Sequence, residues 1–111
     1  MAPFGVDELS PAEVKHRLER KDGTLLIDVR ENDELAVASI DGAKHIPMND
    51  VGRHLAELPK DKDIVFVCHS GSRSLMVAIQ LKRRGFTRVF NMAGGIDMWS
   101  QTVDPNVPRY E

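Results

Sequence analysis

The sequence predicts an α/β domain in which a mostly parallel sheet carries helices on both faces. Three observations lead there. Leu25-Leu26-Ile27 and Ile64-Val65-Phe66-Val67 are short, continuous apolar runs, the mark of strands buried on both sides rather than on one. Segments with helical periodicity and capping residues separate such runs, so strand and helix alternate along the chain. With 111 residues there is room for one compact domain and one core.

In chain order, Ser10-Pro11-Ala12-Glu13 opens the first helix. Ser10 is the N-cap, Pro11 suits the first helical position and Glu13 completes a capping box. Val14 and Leu18 share its inner face, and Lys21-Asp22-Gly23 stops it. The segment Thr24 to Arg30 is the next strand, broken by Asp28 at its carboxyl end. Open α/β sheets place ligands at that end. Asp28 reads as a carboxylate accepting loop N–H bonds, with a direct chemical role as the alternative. Arg30 and Glu34 are expected to pair and brace the loop before a short capped helix over 32–38. Ala43 to Pro47 is a short strand closed by proline, and Asn49 is expected to cap a helix ending before Pro59. Ile64 to Val67 is a buried strand. The helix after it carries Leu75, Ala78, Ile79 and Leu81, with Gly85 past its end. Arg88-Val89-Phe90-Asn91 is another strand, and Gly94-Gly95 turns into a last helix over Ile96 to Trp99. Prolines extend the tail, 103–111.

Composition narrows the function. Hydrophobic content of 41% and charged content of 29% are ordinary for a soluble domain. A formal net charge of -2 offers no basic surface for nucleic acid or an acidic membrane. The apolar runs are strand-sized, too short to cross a bilayer, and Met1-Ala2-Pro3-Phe4 lacks a leader's basic and apolar regions. The single cysteine excludes an internal disulfide, a Cys-x-x-Cys redox pair and a multi-cysteine zinc cluster. It suits a reducing cytosol. No histidine has a partner at metal-ligand spacing, so no metal or cofactor is expected. The Gly-Gly pair lacks the spacing of a nucleotide-binding fingerprint.

That cysteine carries the chemistry. Cys68 follows the Ile64–Val67 strand and precedes a helix, facing first-turn N–H groups, a place that binds anions and favours a thiolate. Gly71 lets the backbone curl so that N–H groups converge on the sulfur. Ser70 and Ser72 can add hydroxyl donors. Arg73 can close the ring or grip an anionic substrate with two parallel bonds. His69 is expected to shape the pocket mouth rather than act as a base. The bland reading is an inert core cysteine; against it, apolar packing needs no donors aimed at sulfur.

Cys68-His69-Ser70-Gly71-Ser72-Arg73-Ser74 resembles the active-site loop of single-domain rhodanese-like sulfurtransferases. Asp28-Val29-Arg30-Glu31 resembles that family's first signature, and Asn91 to Trp99 its closing one. The ending through Val103-Asp104-Pro105 and Val107-Pro108-Arg109-Tyr110 is similar to the rhodanese domain of sulfur-carrier adenylyltransferases. The resemblance implies a three-layer domain with about five mostly parallel strands and a persulfide carried on Cys68. One segment departs: Ser39 and Asp41 stand where relatives usually have histidine and proline, which bears on local packing more than on chemistry.

The expected function is transfer of a sulfane sulfur from thiosulfate or a low-molecular-weight persulfide to cyanide, a thiol or an acceptor protein. Related loops in phosphatases and arsenate reductases have five residues between cysteine and arginine. Here four intervene, leaving less room for a tetrahedral phosphate than for one sulfur. A cysteine-based phosphatase or arsenate reductase, and a persulfide carrier or regulatory module without turnover, remain the alternatives.

Overall fold

The computed structural model describes residues 5–110; residues 1–4, where the sequence shows no leader pattern, lie outside it. Five parallel strands form one sheet in the order β1-β5-β4-β2-β3. They are β1 (Asp7–Leu9), β2 (Leu25–Asp28), β3 (Lys44–His45), β4 (Ile64–Val67) and β5 (Val89–Met92). The helices are α1 (Pro11–Glu19), α2 (Asn32–Val37), α3 (Ser72–Arg83) and α4 (Gly95–Thr102), with a 3-10 segment at Met48–Glu57.

Alternation along the central strands divides the core. Ile27, Ile64, Phe66 and Cys68 point to the face covered by α3 and the 3-10 segment, where Val51, Val77, Ala78 and Leu81 meet them. Leu26, Val65, Val67 and Met92 point the other way, against Val14 of α1 and Ile96 and Trp99 of α4. Period-two geometry thus assigns Cys68, one residue beyond β4, to the α3 side. Each fully buried aliphatic side chain contributes about 1.5–3 kcal/mol, so these two layers hold the sheet.

Three local expectations are corrected. β1 is absent from the sequence reading; its three residues include two exposed acids and gain order by pairing beside β5. The capping box of α1 is half made: Ser10 Oγ accepts the Glu13 N–H at 3.1 Å, but the Glu13 carboxylate turns to Arg17. The expected α-helix capped by Asn49 is a 3-10 segment entered through Pro47, with no side-chain cap. Gly52 inside it weakens the wider α-helical turn. Gly85 does stand just past α3, where the Gly85 and Phe86 N–H groups bond Lys82 and Leu81 carbonyls.

The tail turns back rather than extending away. Val107 is buried against the α4 layer, its carbonyl accepts from the Ser100 hydroxyl, and Arg109 pairs with Asp97 at 2.9 Å. Tyr110 is thereby carried to the carboxyl edge of the sheet.

Candidate active site

The site is built where β4 gives way to α3. Cys68 is fully buried. Gly71 follows with φ +104°, a left-handed turn that glycine adopts without cost, and caps α3. This turn aims the Gly71 N–H at Cys68 Sγ, 3.1 Å away. The first intrahelical bond of α3 is Leu75 N–H to the Gly71 carbonyl. The N–H groups of Ser72, Arg73 and Ser74 are therefore the free donors of a helix N-terminus.

The hydroxyl at the sulfur belongs to Ser74, not to Ser70 or Ser72, which are exposed. Ser74 Oγ lies 3.3 Å from Sγ and 2.5 Å from Asn91 Oδ1. Asn91 is fixed in turn, since Nδ2 donates to Glu8 at 2.8 Å and to the Gly71 carbonyl at 3.1 Å. Ser74 has one proton. It can donate to Asn91 and accept from a Cys68 thiol, or rotate and donate to a thiolate.

The back of the loop is held by α4. Its Ile96 and Asp97 N–H groups donate to the Cys68 and His69 carbonyls at 2.9 and 3.0 Å. This contact needs a residue without Cβ at Gly95: an added Cβ would sit 2.4–2.5 Å from those carbonyl oxygens.

Asp28 and Arg30 lie beside the loop, as the pairing of Asp28 with Val67 requires. Both are buried. Asp28 accepts the Arg30 backbone N–H at 3.0 Å and grips its guanidinium, with Nη2 to Oδ2 at 2.7 Å. Arg30 also donates to the Ala38 carbonyl and to Tyr110 Oη. The expected Arg30–Glu34 ion pair is not formed; Arg30 reaches only the Glu34 carbonyl, at 3.4 Å.

The Glu34 carboxylate instead takes Arg73 in a two-point grip, both contacts 2.7 Å. Tyr110 Oη donates to the same carboxylate at 3.0 Å. Hydrogen bonding from Arg73, above all, pulls Glu34 down to about 2. Burial pushes the Tyr110 phenol up, which keeps it a donor. The Tyr110 ring stacks on His69, with centroids 4.3 Å apart. His69 thus stands at the mouth, in an open depression of about 400 Å³ lined with Asp33, Glu34, Val37 and Tyr110.

Sequence reasoning brought Asp28, Arg30 and the loop from Cys68 to Arg73 to one edge. It missed Ser74 as the sulfur's hydroxyl partner, and Asn91, Glu34 and Tyr110. The helical spacing of Ser74 two residues inside α3 was a usable signal. Nothing local ties Tyr110 to Arg30, 80 residues away. Ser39 and Asp41 are exposed around buried Ile40. His45 bonds the Arg30 carbonyl at 2.6 Å and is accounted for structurally.

Comparison with known proteins agrees with this geometry. Residues 10–102 match the family model described as a rhodanese-like domain. A protein named "Sulfurtransferase" from Allochromatium vinosum is 35% identical over 96 residues, covering 86% of this chain and 90% of that protein. The Mycobacterium tuberculosis (strain CDC 1551 / Oshkosh) protein named "Probable adenylyltransferase/sulfurtransferase MoeZ" is 34% identical over 104 residues, 92% of this chain but 26% of its own length. A crystal structure of a rhodanese-like domain protein from Staphylococcus aureus superposes with TM-score 0.80 at 27% identity, covering 96% of this chain and all of that one. A parallel five-stranded sheet with a cysteine at the β4–α3 junction, and a match over residues 10–102, place this chain in the rhodanese-like domain family.

Proposed function

We propose that this protein is a sulfurtransferase that moves a sulfane sulfur through a persulfide on Cys68. The observation that carries the reading is the donor set at the sulfur: the Gly71 N–H at 3.1 Å, the start of α3, and the Ser74 hydroxyl at 3.3 Å, which can rotate to donate once the thiol is ionised. These donors favour negative charge on Sγ or one atom beyond it.

The thiolate attacks the outer sulfur of thiosulfate or of an organic persulfide. One S–S bond forms and one breaks, and sulfite or a thiol leaves. The Cys68 persulfide then gives its outer sulfur to cyanide or a thiol, which restores the thiolate. Electrons balance in each half without a redox cofactor. The helix N-terminus offsets the charge of the persulfide while it waits. A reducing cytosol suits a lone thiol that must stay unoxidised between turnovers.

Mass measurement of the intact protein tests this. Incubation with a sulfur donor should add one sulfur atom to Cys68, and cyanide should remove it. Cys68→Ser should take up none; a Cys68→Ser protein that still turns over would overturn the assignment. Hydrolysis of an aryl phosphate faster than sulfur uptake would favour the phosphatase reading instead.

A further inference from the structure

The terminal fork of Arg73 is engaged by a carboxylate of the protein itself. Its two terminal nitrogens lie 2.7 Å from the two oxygens of Glu34, the geometry a guanidinium uses to hold an anionic substrate. Glu34 is itself saturated: Oε2 also accepts the Glu31 N–H at 3.0 Å, and Oε1 the Tyr110 hydroxyl at 3.0 Å. Its side chain is 18% exposed, so the grip is partly shielded from water and screening salt. The adjoining depression adds Asp33, with no lysine or arginine on its lining, and offers Val37, His69 and Tyr110 as apolar or aromatic surface.

We infer that Glu34 is a specificity-determining residue: it occupies Arg73 in place of a substrate anion and turns the site from inorganic dianions such as thiosulfate toward organic persulfides. This rests on the sulfur-transfer reading above and names its donor class. A dianion entering the mouth meets the Asp33 carboxylate and a guanidinium whose terminal fork and charge are already matched by Glu34. An organic persulfide delivers its sulfur with a single charge and lays its carbon chain against Val37 and the Tyr110 ring. Tyr110, brought back by the tail, is a positioning residue that pins the Glu34 carboxylate.

The test compares thiosulfate with the persulfide of β-mercaptoethanol, which carries no carboxylate. The readouts are KM, kcat/KM and sulfur on Cys68 by intact mass. The parent protein should use the organic persulfide with the higher kcat/KM. Glu34→Gln should lower the thiosulfate KM about tenfold or more, the size of one charge-assisted contact regained. Adding Arg73→Ala to Glu34→Gln should abolish that gain. Tyr110→Phe keeps the ring on His69 but removes one of the bonds that hold Glu34, and should shift KM the same way by about two- to threefold. If Glu34→Gln does not fold, Tyr110→Phe carries the test. An unchanged donor preference in the folded variants overturns the role of Glu34 while persulfide formation stands. No sulfur on parent Cys68 from either donor overturns both.

Discussion

Asp28 shows how much of the site is an electrostatic frame. Arg30 is fully buried, and its charge is met by Asp28, with carbonyls and a phenol on its remaining donors. Asp28→Asn leaves that charge uncompensated and should cost about 3–5 kcal/mol, read as a lowered midpoint in urea. A loss below 1 kcal/mol would mean that the amide replaces the carboxylate. Glu34 makes a prediction in pH. Its ordinary value of 4.5 is lowered to about 2 by the Arg73 hydrogen bonds. The pair's contribution is then complete above pH 4.5 and is lost as the pH falls toward 2. Acid denaturation of Glu34→Gln should have a shallower slope across that window than the parent; parallel curves would show the pair to be neutral. Ser74 marks a limit of reading residues in a row. Its neighbours Ser70 and Ser72 looked equivalent in sequence, and only the turn at Gly71 decides which hydroxyl faces the sulfur.

Among the elements, α4 does the most for the loop while contributing no side chain to its chemistry. Its first N–H groups tie down the carbonyls of Cys68 and His69, which leaves the loop's N–H side free to face the sulfur. Gly95→Ala inserts a methyl group 2.4–2.5 Å from those oxygens at φ +61°. It should cost about 1–3 kcal/mol, lower the melting temperature and slow sulfur uptake by Cys68. A variant with parent melting and parent uptake would show that the contact relaxes freely. The buried apolar strands β2 and β4 and the helices α1 and α3 were legible because local periodicity and burial agree in them. β1 was not, since a three-residue edge strand takes its order from β5 and not from its own pattern. The 3-10 segment was misjudged because its apolar spacing fits either helix. The tight turn that aims the Gly71 N–H at Cys68 was legible from the glycine and the strand-to-helix switch. The loop's partners Glu34, Asn91 and Tyr110 were not, because they meet it only in space.

At the scale of the molecule, the strand order sets first beside last. β1 and β5 are neighbours, and the Glu8–Asn91 bond spans 83 residues. Asn91, Gly95 and Tyr110, which fix the Ser74 hydroxyl, the loop carbonyls and Glu34, all belong to the final segment of the chain. Contacts of such sequence separation form late and slow the folding rate. During synthesis Cys68 is therefore an ordinary thiol on a half-made sheet. It gains its fixed donors only when β5 and α4 have closed over it. Sulfur uptake in a urea series should disappear in the same transition as the folded signal. A protein that kept loading sulfur after the sheet had opened would show an independent loop. Late closure also orders events in time: a partly synthesised chain has not yet assembled the Asn91 and α4 contacts that fix the Cys68 loop.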